Sequence, residues 1–186
     1  MEKEKMRRSM LASRTAMDPR EAALRSAVIC EKLLALDRVK NAGCVMAYCA
    51  YKNEPDLNEF INALMELGKA VALPYIAGSE LKAVRYESGS AMKSNKYGIM
   101  EPVPVNDVDE LEPDVVVVPG IAFDSRLYRI GFGGGYYDRF LAYSNAYKIG
   151  VCYDYQVVDG FACEAHDVPM DAVVTEKRII GRKGCA

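Results

Sequence analysis

A chain of 186 residues, 51% hydrophobic and 27% charged, can bury a sizeable core and suits a single domain spanning 1–186. Its 24 Lys and Arg against 26 Asp and Glu leave a net charge of −2, which argues against a broad nucleic-acid footprint but allows a local positive cluster. No apolar stretch reaches membrane-span length, and the charged start Met1–Arg8 leads into no apolar run, so a cytoplasmic protein with no membrane partner is expected.

In chain order, the spacing of Met6, Met10, Ser13 and Met17 predicts an N-terminal helix with one apolar side. Asp18 and Pro19 then start a second helix running to about Asp37, with Glu21 completing a variant capping box. Leu24, Ala27, Val28 and Leu34 are its expected inward residues. Cys44–Cys49 reads as a buried strand, 56–67 as a helix stopped by Gly68, and 70–73 as a strand ended by Pro74. A more exposed strand is expected over 81–86, with Leu81, Ala83 and Arg85 on one side. The stretch 88–113, punctuated by Pro102, Pro104 and Pro113, reads as loop.

The four valines at 115–118 cannot alternate in and out, so both faces of that strand are expected to be covered. A short helix should begin near Gly135, and strands should follow at 147–152 and 172–175. Alternating strands and helices make the expected fold α/β: a three-layer, mainly parallel open sheet with helices on both faces. The six cysteines at 30, 44, 49, 152, 163 and 185 form no C-x-x-C pair, so no zinc cage is expected. Cys44 and Cys152 read as buried thiols in a reducing compartment.

The informative segment is 119–140, PGIAFDSRLYRIGFGGGYYDRF, directly after the valine strand. Ligands gather at the carboxyl ends of strands in such sheets. Gly131, Gly133, Gly134 and Gly135 carry no side chains to obstruct a ligand, and their amides can converge on phosphate oxygens. Arg129 can add a fork of donors, and Asp138 a carboxylate for Mg²⁺. Tyr136 stands where a dinucleotide fingerprint needs glycine, and no G-K-[ST] makes a P-loop. The glycines alone read equally well as a tight turn.

The segment resembles the signature of the 5-formyltetrahydrofolate cyclo-ligase family, P-G-x-A-F-D followed by R-x-G-x-G-x-G-[YF]-Y-D-R. Pro119, Gly120, Ala122, Phe123 and Asp124 match, as do Arg129, Gly131, Gly133, Gly135, Tyr136, Tyr137, Asp138 and Arg139. Lys3–Arg7 resembles the family's basic N-terminal segment, and Glu54 its acid after the first strand. Tyr97–Pro102, Ile149–Val151 with Gln156, and His166–Asp167 with Asp171 and Thr175–Glu176 resemble further parts, so the likeness covers nearly the whole chain. This chain departs at Gly134, where many members have Lys, and at Leu127, where many have Gly. Phosphate charge is then expected from elsewhere, Lys3 or Arg7, and the departure at Leu127 bears on the shape of the approach loop more than on the chemistry.

The resemblance implies closure of 5-formyltetrahydrofolate to 5,10-methenyltetrahydrofolate with ATP and Mg²⁺, giving ADP and phosphate. It implies Arg129 and Asp138 as catalytic residues. Lys3, Arg7, Arg129, Gly131, Phe132, Gly133, Gly134, Gly135, Tyr136 and Tyr137 would contact ATP. Cys49, Glu54 and Tyr136, with Tyr51 nearby, would face the folate, and Asp138 and Asp167 would hold Mg²⁺. His166 is expected to be supporting, not a general base. A monomer or weak homodimer is expected. A sugar-phosphate enzyme of similar fold and a non-catalytic nucleotide- or folate-binding protein are the alternatives, distinguished by ADP release and turnover.

Overall fold

The computed structural model describes residues 3–104 and 109–181; Cys185 lies outside them. Helix α1 (Lys3–Thr15) is followed by α2 (Pro19–Ala35) and a short α3 (Asp37–Asn41). Asp18 caps α2 as expected, its carboxylate accepting from the Arg20 and Glu21 amides, while Pro19 occupies the first helical turn. Glu21 pairs with Arg25 one turn on.

The inward stripe of α2 differs from the sequence expectation. Ala22, Ser26, Ile29, Cys30 and Leu33 are buried, whereas Leu24 is 72% exposed and Val28 38%. An alanine- and leucine-rich helix offers more than one apolar stripe, and packing against α4 (Asn58–Glu66) selects the one through Ile29 and Leu33. Gly68 ends that segment at φ +72°.

One seven-stranded sheet organises the chain. Its strands are β1 (Cys44–Met46), β2 (Ala70–Ala77), β3 (Glu80–Tyr86), β6 (Val115–Pro119), β9 (Tyr147–Val151), β11 (Ala172–Val174) and β12 (Ile179–Gly181). Their order is β12-β11-β9-β6-β1-β2-β3, and all neighbours are parallel except the two edge pairs, β11 with β12 and β2 with β3. The expected three-layer α/β sheet is therefore present. Val115 and Val117 face the helical layer of α2 and α4, while Val116 and Val118 face the opposite layer with Leu141 of α5 (Tyr136–Ala142). All four are buried, each worth about 2 kcal/mol of removed apolar surface.

Two strand ends differ from expectation. β1 stops at Met46, because the chain leaves the sheet after the Ala47 amide bonds Ala72. Pro74 does not end β2, which continues to Ala77 in pairing with β3. The missing Pro74 N–H faces the side where β1 has already ended, so no ladder bond is lost. In β3, Val84 is buried and Arg85 exposed, so the expected alternation breaks there.

Within the stretch expected as loop, β4 (Met92–Ser94) and β5 (Met100–Pro102) pair as a small hairpin. Buried Glu101 of β5 accepts hydrogen bonds from the Ile76 amide and the Asn95 side chain, tying that hairpin to β2. A second small sheet joins β7 (Ala122–Asp124), β8 (Arg129–Ile130) and β10 (Val157–Val158). It carries the chain from the end of β6 to the glycine segment, and α1 packs against β7.

Candidate active site

The β7–β8 connection is a rigid turn. Buried Asp124 accepts hydrogen bonds from the Arg126 and Tyr128 amides and pairs with the Arg126 guanidinium at 2.6 Å. Leu127 sits there at φ +70° and is 3% exposed. The backbone thus takes the left-handed shape a glycine adopts freely, while the leucine side chain enters the core.

From β8 the Arg129 side chain turns back along the glycine segment. Its Nη2 donates to Asp138 Oδ2 at 2.8 Å, and the guanidinium lies 5.4 Å from the Tyr137 ring. A Cβ at position 131 would stand 2.5 Å from Arg129 Nη1, so a side chain there would push the guanidinium aside. Gly133 and Gly135 take φ of +98° and +66°, again shapes that suit glycine. None of the Phe132, Gly133 and Gly134 amides donates to a described backbone or side-chain acceptor.

The N-terminal helix brings its cations to the same place. Arg7 Nε donates to the Gly131 carbonyl at 2.8 Å and the side chain also pairs with Glu4. Lys3 Nζ is 2.7 Å from Asp167 Oδ2 and 3.8 Å from Glu164. Partial burial pushes the Asp167 carboxyl up, but hydrogen bonds from Lys3 and the Glu164 amide outweigh it and hold the group below its ordinary value. Asp138 Oδ1 lies 3.4 Å from the Val168 amide, next in chain to Asp167. Helix ends, strand ends and the C-terminal loop thus converge, and they bring Lys3, Arg7, Arg129, Asp138, Asp167 and the glycines together.

Among the described residues, no group of three or more His, Cys, Asp or Glu is placed to hold a metal. Asp138 and Asp167 are each already paired with a cation. A magnesium ion arriving on phosphates needs only one or two protein carboxylates. The donor set fits that case and not an all-protein cage. His166 is exposed and lies 3.5 Å from Glu164.

Glu54 occupies the other wall. It is 5% exposed, accepts from the Tyr51 amide at 3.1 Å, and lies 3.4 Å from Arg14 Nη2. Burial pushes its carboxyl up to about 7, against the opposing pull of Arg14, the Tyr51 amide and Arg129. The Tyr137 hydroxyl is buried without a hydrogen-bond partner, and burial together with the Glu54 charge pushes its pKa up. Cys49 is half-buried and pushed up to about 11 by burial, which keeps it a neutral thiol.

The two adjacent tyrosines part company. Tyr137 joins Glu54 and Arg129, whereas Tyr136 turns to the β4–β5 hairpin, its hydroxyl 3.3 Å from that of Tyr97. A Cβ at Gly134 would meet the Tyr136 ring at 2.8 Å. Tyr97 and fully buried Arg14 are the site neighbours that sequence reasoning missed. Arg14 was detectable: with Met6 and Met10 it shares an i, i+4, i+8 spacing, and a charge on an apolar stripe needs a buried partner.

The chain is similar to known proteins over most of its length. The chain is 31% identical over 174 residues to the 5-formyltetrahydrofolate cyclo-ligase of Escherichia coli K12, covering 89% of this chain and 96% of that one. The solved structure of Aquifex aeolicus 5,10-methenyltetrahydrofolate synthetase superposes with a TM-score of 0.88 at 34% identity, covering 100% of this chain and 96% of the other. That of the Mycoplasma pneumoniae 5,10-methenyltetrahydrofolate synthetase gives 0.77 at 25% identity, covering 95% and 99%. The profile of the 5-formyltetrahydrofolate cyclo-ligase family matches residues 1–176, and the chain belongs to that family of ligases.

Proposed function

We propose that this chain closes the ring of 5-formyltetrahydrofolate with ATP and Mg²⁺, giving 5,10-methenyltetrahydrofolate, ADP and phosphate. The observation that carries the reading is the convergence of Arg7 and Arg129 on a glycine segment with free amides, with Lys3, one turn along α1 from Arg7, paired with Asp167. Such a surface suits a triphosphate, because cations and backbone donors stabilise its charge without blocking its approach. A bound Mg²⁺, held by Asp138 and Asp167, would neutralise charge on the phosphates.

The formyl oxygen is a poor leaving group and needs activation. It attacks the terminal phosphorus of ATP, and the bond to ADP breaks. The folate N10 then adds to the activated carbon and loses its proton, and phosphate departs with the former formyl oxygen. The protein contributes position and charge more than covalent chemistry. Arg129, fixed by Asp138, faces the charge that develops on the moving phosphoryl group. Glu54 would accept hydrogen bonds from the pterin N–H groups, beside Tyr51 and Cys49.

Folate is then the small-molecule partner, a monomer or weak homodimer in the cytoplasm suffices, and no nucleic acid or membrane is needed. No helix among the described residues is long and apolar enough to cross a membrane. The test is absorbance of the methenyl product with purified protein. Product is expected only when ATP and Mg²⁺ are both present, with one ADP released per ring closed. Nucleotide and folate binding without product would reject the reading.

A further inference from the structure

Arg14 is the largest fully buried side chain of the described residues and belongs to no role assigned above. It stands near the end of α1, between the two walls of the site. Its guanidinium nitrogens reach two segments, the 51–54 turn and Gly120. Nε donates to the Lys52 carbonyl at 2.9 Å, and Nη1 to the Gly120 carbonyl at 3.2 Å. Nη2 lies 3.4 Å from both the Tyr51 carbonyl and Glu54 Oε1. The ring of Phe132, from the glycine segment, lies 5.7 Å from the guanidinium and 5.8 Å from the Tyr51 ring.

The turn that Arg14 grips is an unfavourable one. Lys52 and Asn53 have φ of +47° and +59°, which non-glycine residues adopt only when surroundings hold them. Asn53 returns the contact, donating to the Arg14 carbonyl at 2.8 Å. A planar fork with fixed directions can hold that turn and the Gly120 segment at once, whereas a lysine offers one nitrogen.

We propose that Arg14 is a positioning residue for folate: it fixes the Tyr51–Glu54 turn and orients the Glu54 carboxylate against the segment that leads to the glycine loop. This inference rests on the reading of Glu54 as a folate contact. The groups facing Glu54 are Arg14 from α1, Arg129 from β8, Tyr137 from α5, and Tyr48 and the Tyr51 amide after β1. With the Arg14 charge removed, burial dominates more fully and Glu54 stays protonated to higher pH.

The experiment is steady-state formation of methenyl product across pH, with folate and ATP varied separately. Arg14→Lys is expected to raise the folate KM about tenfold while leaving the ATP KM unchanged. Arg14→Met is expected to move the acid limb of kcat/KM for folate upward by about one pH unit or more, and to add nothing in the Glu54→Gln background. An Arg14→Met effect equal in both backgrounds, or one confined to the ATP KM, would overturn the assignment. Should Arg14→Met alone unfold, the double variant, which removes both buried charges, is expected to regain a higher Tm, and failure to do so counts against the coupling. A wild-type folate KM in Glu54→Gln would overturn the underlying reading of Glu54. A raised folate KM in Glu54→Gln beside an unaffected Arg14 series would overturn only the role of Arg14.

Discussion

Asp138 meets Arg129 at 2.8 Å through a guanidinium whose side chain is 6% exposed. Removing the negative charge should disorder the arginine more than the fold. Asp138→Asn is therefore expected to lower kcat about a hundredfold or more, with Tm within a few degrees of wild type. Near-normal kcat would remove Asp138 from the chemistry. Glu54 permits a thermodynamic check. Its folded-state pKa of about 7 lies above the ordinary carboxyl value of 4.5 because of burial. The folded protein therefore binds more protons than the unfolded chain between those values, and the stability from this group is lost as pH rises through that window. Relative to Glu54→Gln, the wild type should lose up to about 3 kcal/mol of unfolding free energy from acid to neutral pH. Denaturant titrations at several pH values read this directly; equal slopes for the two proteins would contradict it.

At the scale of elements, the β7–β8 turn shows where backbone and side chain oppose each other. Leu127→Gly would relieve left-handed strain of about 1–2 kcal/mol but lose a buried leucine worth about 2–5 kcal/mol. A net loss of stability is expected, with Arg129 still placed and the folate KM unchanged. A more stable variant would show that strain dominates packing here. The strands β6, β9 and β11 were legible from their apolar runs, and α2 from Asp18 and Pro19. The phase of α2 was not, because Leu24 and Val28 are as apolar as the residues that packing selects. The end of β2 was not legible either, since Pro74 breaks a ladder only when a neighbour demands its N–H. The β4–β5 hairpin escaped because its strands are three residues each and owe their place to Glu101.

Across the whole molecule, the site is assembled from segments distant in sequence: Lys3 meets Asp167, Arg7 meets Gly131 and Arg14 meets Glu54. The glycine segment and its Arg and Asp were legible because their chemistry is contiguous. Arg14 was legible only as a charge on an apolar stripe that needs a buried partner, and Tyr97 not at all, because their partners are supplied only by folding. On the proposed reading, this assembly would set a cradle for phosphates beside the Glu54 carboxylate, the arrangement that activation of a formyl oxygen would require. The most direct measurement supplies 5-formyltetrahydrofolate with a heavy oxygen isotope in its formyl group, with ATP and Mg²⁺, and weighs the released phosphate by mass spectrometry. The expected result is one labelled oxygen in each phosphate released. Methenyl product accompanied by unlabelled phosphate would contradict phosphoryl activation.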